Sequence, residues 1–302
     1  MEGNPLGSKK LMNRVWLALF GMGVAVIGVQ FLVQFTLETY APSILEMEWY
    51  TWVLTAISFA GVGLPVFYLL LKGVPDSTRR PVNKLGILPF IVIFLICIAA
   101  MYISNLFGLL VNAILAFIKG APIINPLEDV ILSGNMVLTF LYGVIVAPIV
   151  EETIFRKILL NKVRRYGDLP AILVSGFAFG LFHMNLSQFF YATVLGAIFA
   201  YVTLKTNTIK YSILMHVLIN FMGTTISPLL IKANSLYLMM LFGGFILTAV
   251  TSGVVLFIIY VRHVQLEKGE EIPERTSHIF LNPGMILFTL LCFIHMVLVV
   301  LQ

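Results

Sequence analysis

Two adjacent carboxylates open the segment EETIFR, at positions 151–156, in a stretch that is otherwise apolar enough to cross a membrane. A charged side chain in the middle of a membrane helix costs about 2.5–3.5 kcal/mol on insertion scales, so such residues are first considered as functional. Glu152 and Arg156 are four residues apart, face each other on a helix and can neutralise each other. Glu151 is turned about 100° away from that pair and is predicted to point elsewhere. The alternative is that both glutamates lie at the polar end of the helix, close to solvent.

Two more pairs with the same spacing follow, Phe179 and His183 in FGLFH, and His216 and Asn220 in HVLIN. The Phe179 ring is predicted to pack on the His183 imidazole and to hold its rotamer. Taken singly, a histidine or asparagine in a membrane helix is more often a residue that joins helices by hydrogen bonds. The argument for chemistry therefore depends on the pairs coming together.

The heights of these residues along their helices permit such a meeting. If the chain turns at residues 166–170, Glu151 and His183 both lie about 20 Å above the turn, at about 1.5 Å per helical residue. His216 and Asn220 enter from the same side of the membrane, on a later helix. We therefore expect the four side chains to share one cavity that opens toward the cytoplasm.

A carboxylate and an imidazole that converge on one water form a general-base pair. A second imidazole and an amide can donate hydrogen bonds to the oxyanion of a tetrahedral intermediate, so the set is suited to amide hydrolysis. An alternative use is a zinc site, with His183, His216 and Glu151 as ligands and water in the fourth position. The sequence has no HExxH motif, which leaves the metal alternative without its commonest signature.

Composition sets the environment of these residues. The chain of 302 residues is 60% hydrophobic and 11% charged, whereas soluble domains carry about 25% charged residues. Both cysteines, Cys97 and Cys292, fall inside apolar runs and are predicted to be buried thiols. The net charge of +5 comes from short basic clusters between apolar runs, which is typical of membrane topology rather than of nucleic-acid binding.

The pattern predicts an all-α polytopic bundle with eight or nine membrane helices, because the apolar runs have the length that a helix needs to cross about 30 Å of hydrocarbon. The fifth of these runs is too short to cross alone. The nine predicted spans are 15–37, 50–71, 87–117, 135–157, 170–184, 188–204, 211–231, 237–261 and 279–301. The basic clusters place the N-terminus in the cytoplasm. The polar connector 262–278 is predicted to be a solvated loop.

The three motifs EExxxR, FxxxH and HxxxN, in this order on successive helices, resemble those of the CPBP family (CAAX proteases and bacteriocin-processing enzymes), which includes Rce1-type endopeptidases and bacterial Abi proteins. The resemblance covers residues 135–231. It implies that Glu151 and His183 activate water and that His216 and Asn220 form the oxyanion hole, with Glu152, Arg156 and Phe179 supporting them. The family has been described both as metalloproteases and as glutamate-dependent proteases, so Zn²⁺ stays an open alternative and no metal is assigned.

The sequence thus predicts three segments, with membrane helices in 1–134, a catalytic core in 135–231 and further membrane helices in 232–302. The expected activity is hydrolysis of a peptide bond in a membrane-associated peptide or protein, at a bacterial cell membrane and with no nucleic-acid partner. The competing hypothesis is a non-catalytic membrane scaffold or chaperone that binds another membrane enzyme. A third hypothesis, a proton-coupled transporter, would use the two glutamates but does not explain the FxxxH and HxxxN pairs.

Overall fold

The computed structural model describes residues 7–78, 80–123 and 125–301, and its regular structure is helical. Eight of the described helices are long and apolar enough to cross a membrane, and a ninth, shorter apolar helix lies among them. We number the nine in chain order: α1 Ser8–Tyr40, α2 Tyr50–Leu70, α3 Ile87–Lys119, α4 Met136–Tyr166, α5 Asp168–Phe182, α6 Leu186–Thr206, α7 Lys210–Ala233, α8 Leu236–His263 and α9 Pro283–Leu301. Short helices Pro42–Ile44, Pro126–Ser133 and Ser277–Phe280 lie in the connections. The predicted polytopic helical bundle is confirmed.

Prolines interrupt three of the long helices without ending them. Pro65, Pro148 and Pro228 each follow a π-helical stretch. A proline has no N–H and its ring crowds the preceding turn, and a wider π turn relieves both constraints. The π stretches before these prolines are Ile57–Gly63 in α2, Phe140–Val146 in α4 and Met222–Ile226 in α7, and a fourth, Thr153–Leu159, follows the glutamate pair in α4. The helix that carries Glu151 is therefore widened just before the glutamate pair.

Helices α5 and α6 form a hairpin whose axes approach unusually closely. A Cβ on Gly176 of α5 would lie 2.9 Å from both the Thr193 carbonyl oxygen and the Ala197 nitrogen of α6. A Cβ on Gly196 would lie 3.1 Å from the Gly176 Cα. Small residues let membrane helices pack by backbone contact in this way, and here they bring the α6 backbone close to the side chains of α4.

The basic connections gather at one end of the bundle, which we call the basic end. Connector 262–278, predicted to be a solvated loop, packs on the α4–α5 turn, since the Asp168 N–H donates to the Glu267 carbonyl (3.0 Å). Gly167, in that turn, has a φ of +108°, and a Cβ there would lie 3.0 Å from the Gly269 nitrogen. Only glycine fits both the backbone conformation and the close approach. This end of the bundle is thus held by backbone contacts as well as charge.

Two apolar clusters stabilise the bundle. The larger runs from Trp16 of α1 through Phe155 of α4 and Phe179 of α5 to Phe288 of α9, all of them buried. The smaller joins α3, α6, α7 and α8, with Phe199 at its centre. Residues from all three predicted segments therefore contribute to the buried core. Both cysteines are buried free thiols.

Candidate active site

Three helices supply the predicted site residues. The glutamate pair and Arg156 lie on α4, His183 caps the C-terminal end of α5, and His216 and Asn220 lie on one face of α7. Helix α5 is the shortest of the nine, with 15 residues, and it ends at Phe182, so that His183 begins the turn into α6. The short fifth span therefore has a local consequence, because it places an imidazole at a helix end.

Glu152 is fully buried between two partners. Its Oε1 lies 3.1 Å from His216 Nδ1, and its Oε2 lies 3.3 Å from Arg156 Nε. The predicted pairing of Glu152 with Arg156 is thus present, and the histidine of α7 completes it. An ionised carboxylate can only accept hydrogen bonds, so His216 Nδ1 carries the hydrogen of this bond.

Arg156 is buried, with only 2% of its surface exposed, and it contacts four different groups. Besides its ion pair, its Nη2 donates to the Gly196 carbonyl oxygen at 3.1 Å. Its Cζ lies 4.3 Å from the ring centroid of Phe179 and 5.6 Å from that of Phe199, which are cation–π distances. Sequence reasoning missed Gly196 and Phe199. The glycine could have been found as a small residue on the helix after FGLFH, but the phenylalanine carried no signal.

Glu151 points away from the buried pair, as its position on the helix predicts. Its Oε2 lies 3.7 Å from His216 Nε2 and has no hydrogen-bond partner among the described residues. Its side chain is 20% exposed, and its carboxylate interacts electrostatically with His183 as well. This oxygen therefore lies beside the His216 imidazole without a hydrogen bond of its own.

The His183 ring has a fixed orientation and a defined tautomer. Its Nδ1 lies 2.8 Å from the Phe179 carbonyl oxygen, and since a carbonyl can only accept, Nδ1 carries the hydrogen. The Phe179 ring packs edge-on against the imidazole, with centroids 4.8 Å apart, as predicted from the FxxxH spacing. Phe179 also contacts the His216 ring, with centroids 5.7 Å apart. When His183 is neutral, its Nε2 therefore has a lone pair available for a proton.

Asn220 makes a contact that the sequence argument did not anticipate. Its Nδ2 donates to the Gly143 carbonyl oxygen at 2.8 Å. In the π stretch the N–H of Ala147 donates to Tyr142, five residues back, so the donor due to Gly143 would be Pro148, which has no N–H. Asn220 supplies the missing donor and ties α7 to α4 just before the glutamate pair.

Two features of the surroundings bear on the predicted shared cavity and on the zinc alternative. A cavity of about 740 Å³ at the basic end reaches Arg156 but is not lined by Glu151, His183, His216 or Asn220. The residues that the structure describes contain no group of three His, Cys, Asp or Glu side chains placed to hold one metal ion.

Two tyrosines lie near Glu151 and were also missed. Tyr142 of α4 and Tyr191 of α6 both interact electrostatically with the Glu151 carboxylate. The Tyr142 ring is held against Trp52 of α2, with centroids 5.6 Å apart. Tyrosines are common in membrane helices, so nothing in the sequence singled these out. Taken together, the site offers a free carboxylate, two imidazoles and an amide from three helices, which is suited to activating water and to stabilising an oxyanion.

Comparison with known proteins gives two matches. Residues 133–222 match the family model described as "Type II CAAX prenyl endopeptidase Rce1-like". A protein of Bacillus subtilis (strain 168) named "Putative membrane peptidase YdiL" is 29% identical over 171 residues, which are 55% of this chain and 68% of that protein. No solved structure matches the chain significantly. The resemblance predicted from the three motifs is confirmed, since residues 133–222, which contain the glutamate pair and both histidines, match the Rce1-like family model.

Proposed function

We propose that this protein is an intramembrane endopeptidase that hydrolyses a peptide bond in a membrane-associated peptide or protein. The family and the named relative support a membrane protease in general terms. The observation that carries the more specific proposal is the free oxygen of Glu151, which lies 3.7 Å from one imidazole and within electrostatic reach of the other. The Glu151 side chain is 20% exposed whereas that of Glu152 is fully buried, so Glu151 is the carboxylate of the pair that a water can reach.

In the proposed mechanism, Glu151 and His183 activate the water. The water binds between the free Glu151 oxygen and His183 Nε2, whose lone pair is available because Nδ1 carries the hydrogen donated to Phe179. As the water oxygen attacks the scissile carbonyl, its proton passes to this pair and then to the leaving amine. The products are a new carboxylic acid and a new amine, with one water consumed.

His216 is proposed to act as a donor to the oxyanion. This role requires a hydrogen on Nε2 as well as the one on Nδ1 that is donated to Glu152. His216 faces both carboxylates, through Nδ1 and Nε2, and a proton on Nε2 would point toward the place where the oxyanion develops. Glu152 and Arg156 then serve to orient and neutralise rather than to react.

Asn220 would assist through the second N–H of its amide. One N–H of that amide is engaged by the Gly143 carbonyl, and an asparagine amide has two. The bond to Gly143 fixes the orientation of the amide, which is what an oxyanion donor requires. The loss of one such donor typically reduces kcat by about 10²–10³-fold.

The test has two stages, because the substrate is not known. Membranes that contain either the wild-type protein or Glu151→Gln are compared for new peptide ends by mass spectrometry. The substrate found is then cleaved by the purified protein in H₂¹⁸O. We expect one ¹⁸O in the new carboxylate and a loss of cleavage of at least about 10³-fold in Glu151→Gln and His183→Gln. Adding a chelator to the same reaction should leave the rate unchanged.

The matched control is Glu46→Gln, which removes an exposed carboxylate that has no ion pair among the described residues. It should cleave at the wild-type rate. Cleavage retained by a folded Glu151→Gln protein would reject the catalytic assignment. If Glu151→Gln and His183→Gln both restore a phenotype of cells that lack the protein, the scaffold hypothesis is favoured instead. Loss of cleavage with the chelator, restored by zinc, would reject the metal-free mechanism.

A further inference from the structure

The cavity at the basic end takes no part in the mechanism above. It lies between the connection that follows α2, the last turns of α4 and the α6–α7 connection, and it has a volume of about 740 Å³. Sites for small ligands are usually of about 300–1,000 Å³. The cavity is therefore large enough for a small polar ligand or the headgroup of a lipid.

The charge of the cavity wall is strongly unbalanced. Seven of its lining residues are basic and one, Asp76, is acidic. Four of the basic residues have ion-pair partners: Arg80, Arg156, Lys162 and Arg164. The other three, Lys72, Lys157 and Lys210, have no ion-pair partner in the described part of the chain, and all three are exposed. Three unpaired ammonium groups around one cavity favour an anionic ligand.

Arg156 adds a second and independent observation at the inner end of the cavity. It is one of the lining residues, and its side chain is fully buried. Its Nη1 nevertheless has no hydrogen-bond partner among the described residues. Burying a guanidinium N–H without an acceptor is costly, and an anionic ligand at the inner end of the cavity would supply the acceptor that the described residues do not provide.

The rim of the cavity indicates where the anion comes from. Tyr68 and Val82 line the cavity and are 62% and 66% exposed, and the neighbouring Leu69 is 61% exposed. These apolar side chains lie where α2 emerges at the basic end, so the cavity opens beside the lipid-facing surface of the bundle. A soluble anion would make no contact with these apolar side chains, whereas the glycerol and acyl chains of a phospholipid would pack against them.

We propose that this cavity binds the phosphate group of an anionic phospholipid from the leaflet at the basic end, with Lys72, Lys157 and Lys210 as its principal contacts. Basic pockets between membrane helices commonly recognise the anionic headgroups of lipids. The proposal does not depend on peptidase activity. Its three principal contacts, the lysines, have no part in the catalytic assignment.

The experiment measures lipid retention by the full-length protein. The protein is purified in a neutral detergent and delipidated, incubated with equal amounts of phosphatidylglycerol and phosphatidylcholine, and the bound lipid is counted by native mass spectrometry. Wild type should retain phosphatidylglycerol preferentially. The triple variant Lys72→Gln, Lys157→Gln, Lys210→Gln should bind it about 100-fold more weakly, at roughly fivefold for each lysine near an anionic lipid.

The matched control removes the same charge from the same end of the bundle but outside the cavity, in the triple variant Lys9→Gln, Lys10→Gln, Lys268→Gln. It should retain phosphatidylglycerol as wild type does, and an equal loss in the control would show general surface electrostatics and overturn the proposal. Inorganic phosphate should not displace the lipid at millimolar concentration, and displacement would assign the cavity to a soluble anion instead. Thermal unfolding in phosphatidylcholine alone checks that both variants are folded, and unchanged retention by a folded cavity variant would also overturn the site.

Discussion

Arg156 offers the sharpest test of how the site is held together. Arg156→Met keeps an apolar stem against Phe179 but removes the guanidinium, so that Glu152 stays buried beside His216 alone. Breaking one partner of a buried pair costs about 3–5 kcal/mol, and the lost bond to the Gly196 carbonyl adds to that cost. We expect a loss of about 4 kcal/mol in the free energy of unfolding.

The complementary change gives the coupling. Glu152→Gln keeps the hydrogen-bonding shape but leaves Arg156 without a counter-ion, and we expect a loss of about 3 kcal/mol. The double variant has no uncompensated charge in this pair, and replacing a whole buried ion pair by neutral groups is often close to neutral. The Gly196 carbonyl still loses its donor, so we expect the double variant to lose about 3 kcal/mol rather than the sum of about 7 kcal/mol, which is a coupling of about 4 kcal/mol.

The assay is reversible unfolding in mixed micelles with an increasing fraction of dodecyl sulfate, followed by fluorescence. Trp16 is fully buried and serves as the reporter. The control is Glu270→Gln, which breaks an exposed ion pair with Arg80 (3.6 Å) and should change stability by less than about 1 kcal/mol. Additive losses in the double variant would refute the claim that Glu152 and Arg156 stabilise each other inside the bundle.

Two further changes test the packing and the helix geometry around the site. Gly196→Ala would place a Cβ 2.9 Å from Phe179 Cδ1 and should lower the free energy of unfolding by about 1–3 kcal/mol. The control, Gly243→Ala, meets nothing within 4 Å and should change the free energy of unfolding by less than about 0.5 kcal/mol. Equal effects of the two variants would contradict the close approach of α5 and α6. Asn220→Ala leaves the Gly143 carbonyl without its donor and should cost about 1–3 kcal/mol in the same assay and at least about 100-fold in cleavage of the identified substrate. Wild-type stability in Asn220→Ala would show that the bond to Gly143 does not hold α7 against α4.

Much of this architecture could be predicted from the sequence because membrane helices follow simple rules of length and hydropathy. The nine predicted spans correspond to the nine helices, and the short fifth span is the short α5. The i,i+4 spacing also predicted the contact of Glu152 with Arg156 and that of Phe179 with His183, since both depend only on helix geometry.

Contacts between helices were harder to predict, because they depend on rotation and on local departures from α geometry. Predicting the pairing of His216 with Glu152 required the relative rotation of α7 and α4, which hydropathy does not contain. The contact of Asn220 with Gly143 required knowing that α4 is π-helical before Pro148; in a regular α-helix the freed carbonyl would be that of Val144, four residues before the proline. Connector 262–278 was predicted from its polar composition to be a solvated loop, and most of its residues are exposed. Its contacts with the α4–α5 turn could not be predicted, because they join residues far apart in the chain, such as Arg165 and Glu271.

The distribution of the buried charges over two helices has a consequence for how the protein is made. The apolar part of α4 leaves the ribosome with the two carboxylates and the Arg156 guanidinium, and the histidine that contacts both carboxylates follows only with α7, which begins at Lys210. Until then Glu151 is a lone acid in an apolar segment, at a penalty of about 2.5–3.5 kcal/mol for insertion. Newly synthesised α4 should therefore remain beside the translocation machinery, or at a shallow depth, until the α5–α6 hairpin and α7 have arrived. Full insertion of the amino-terminal half thus awaits residues synthesised after it.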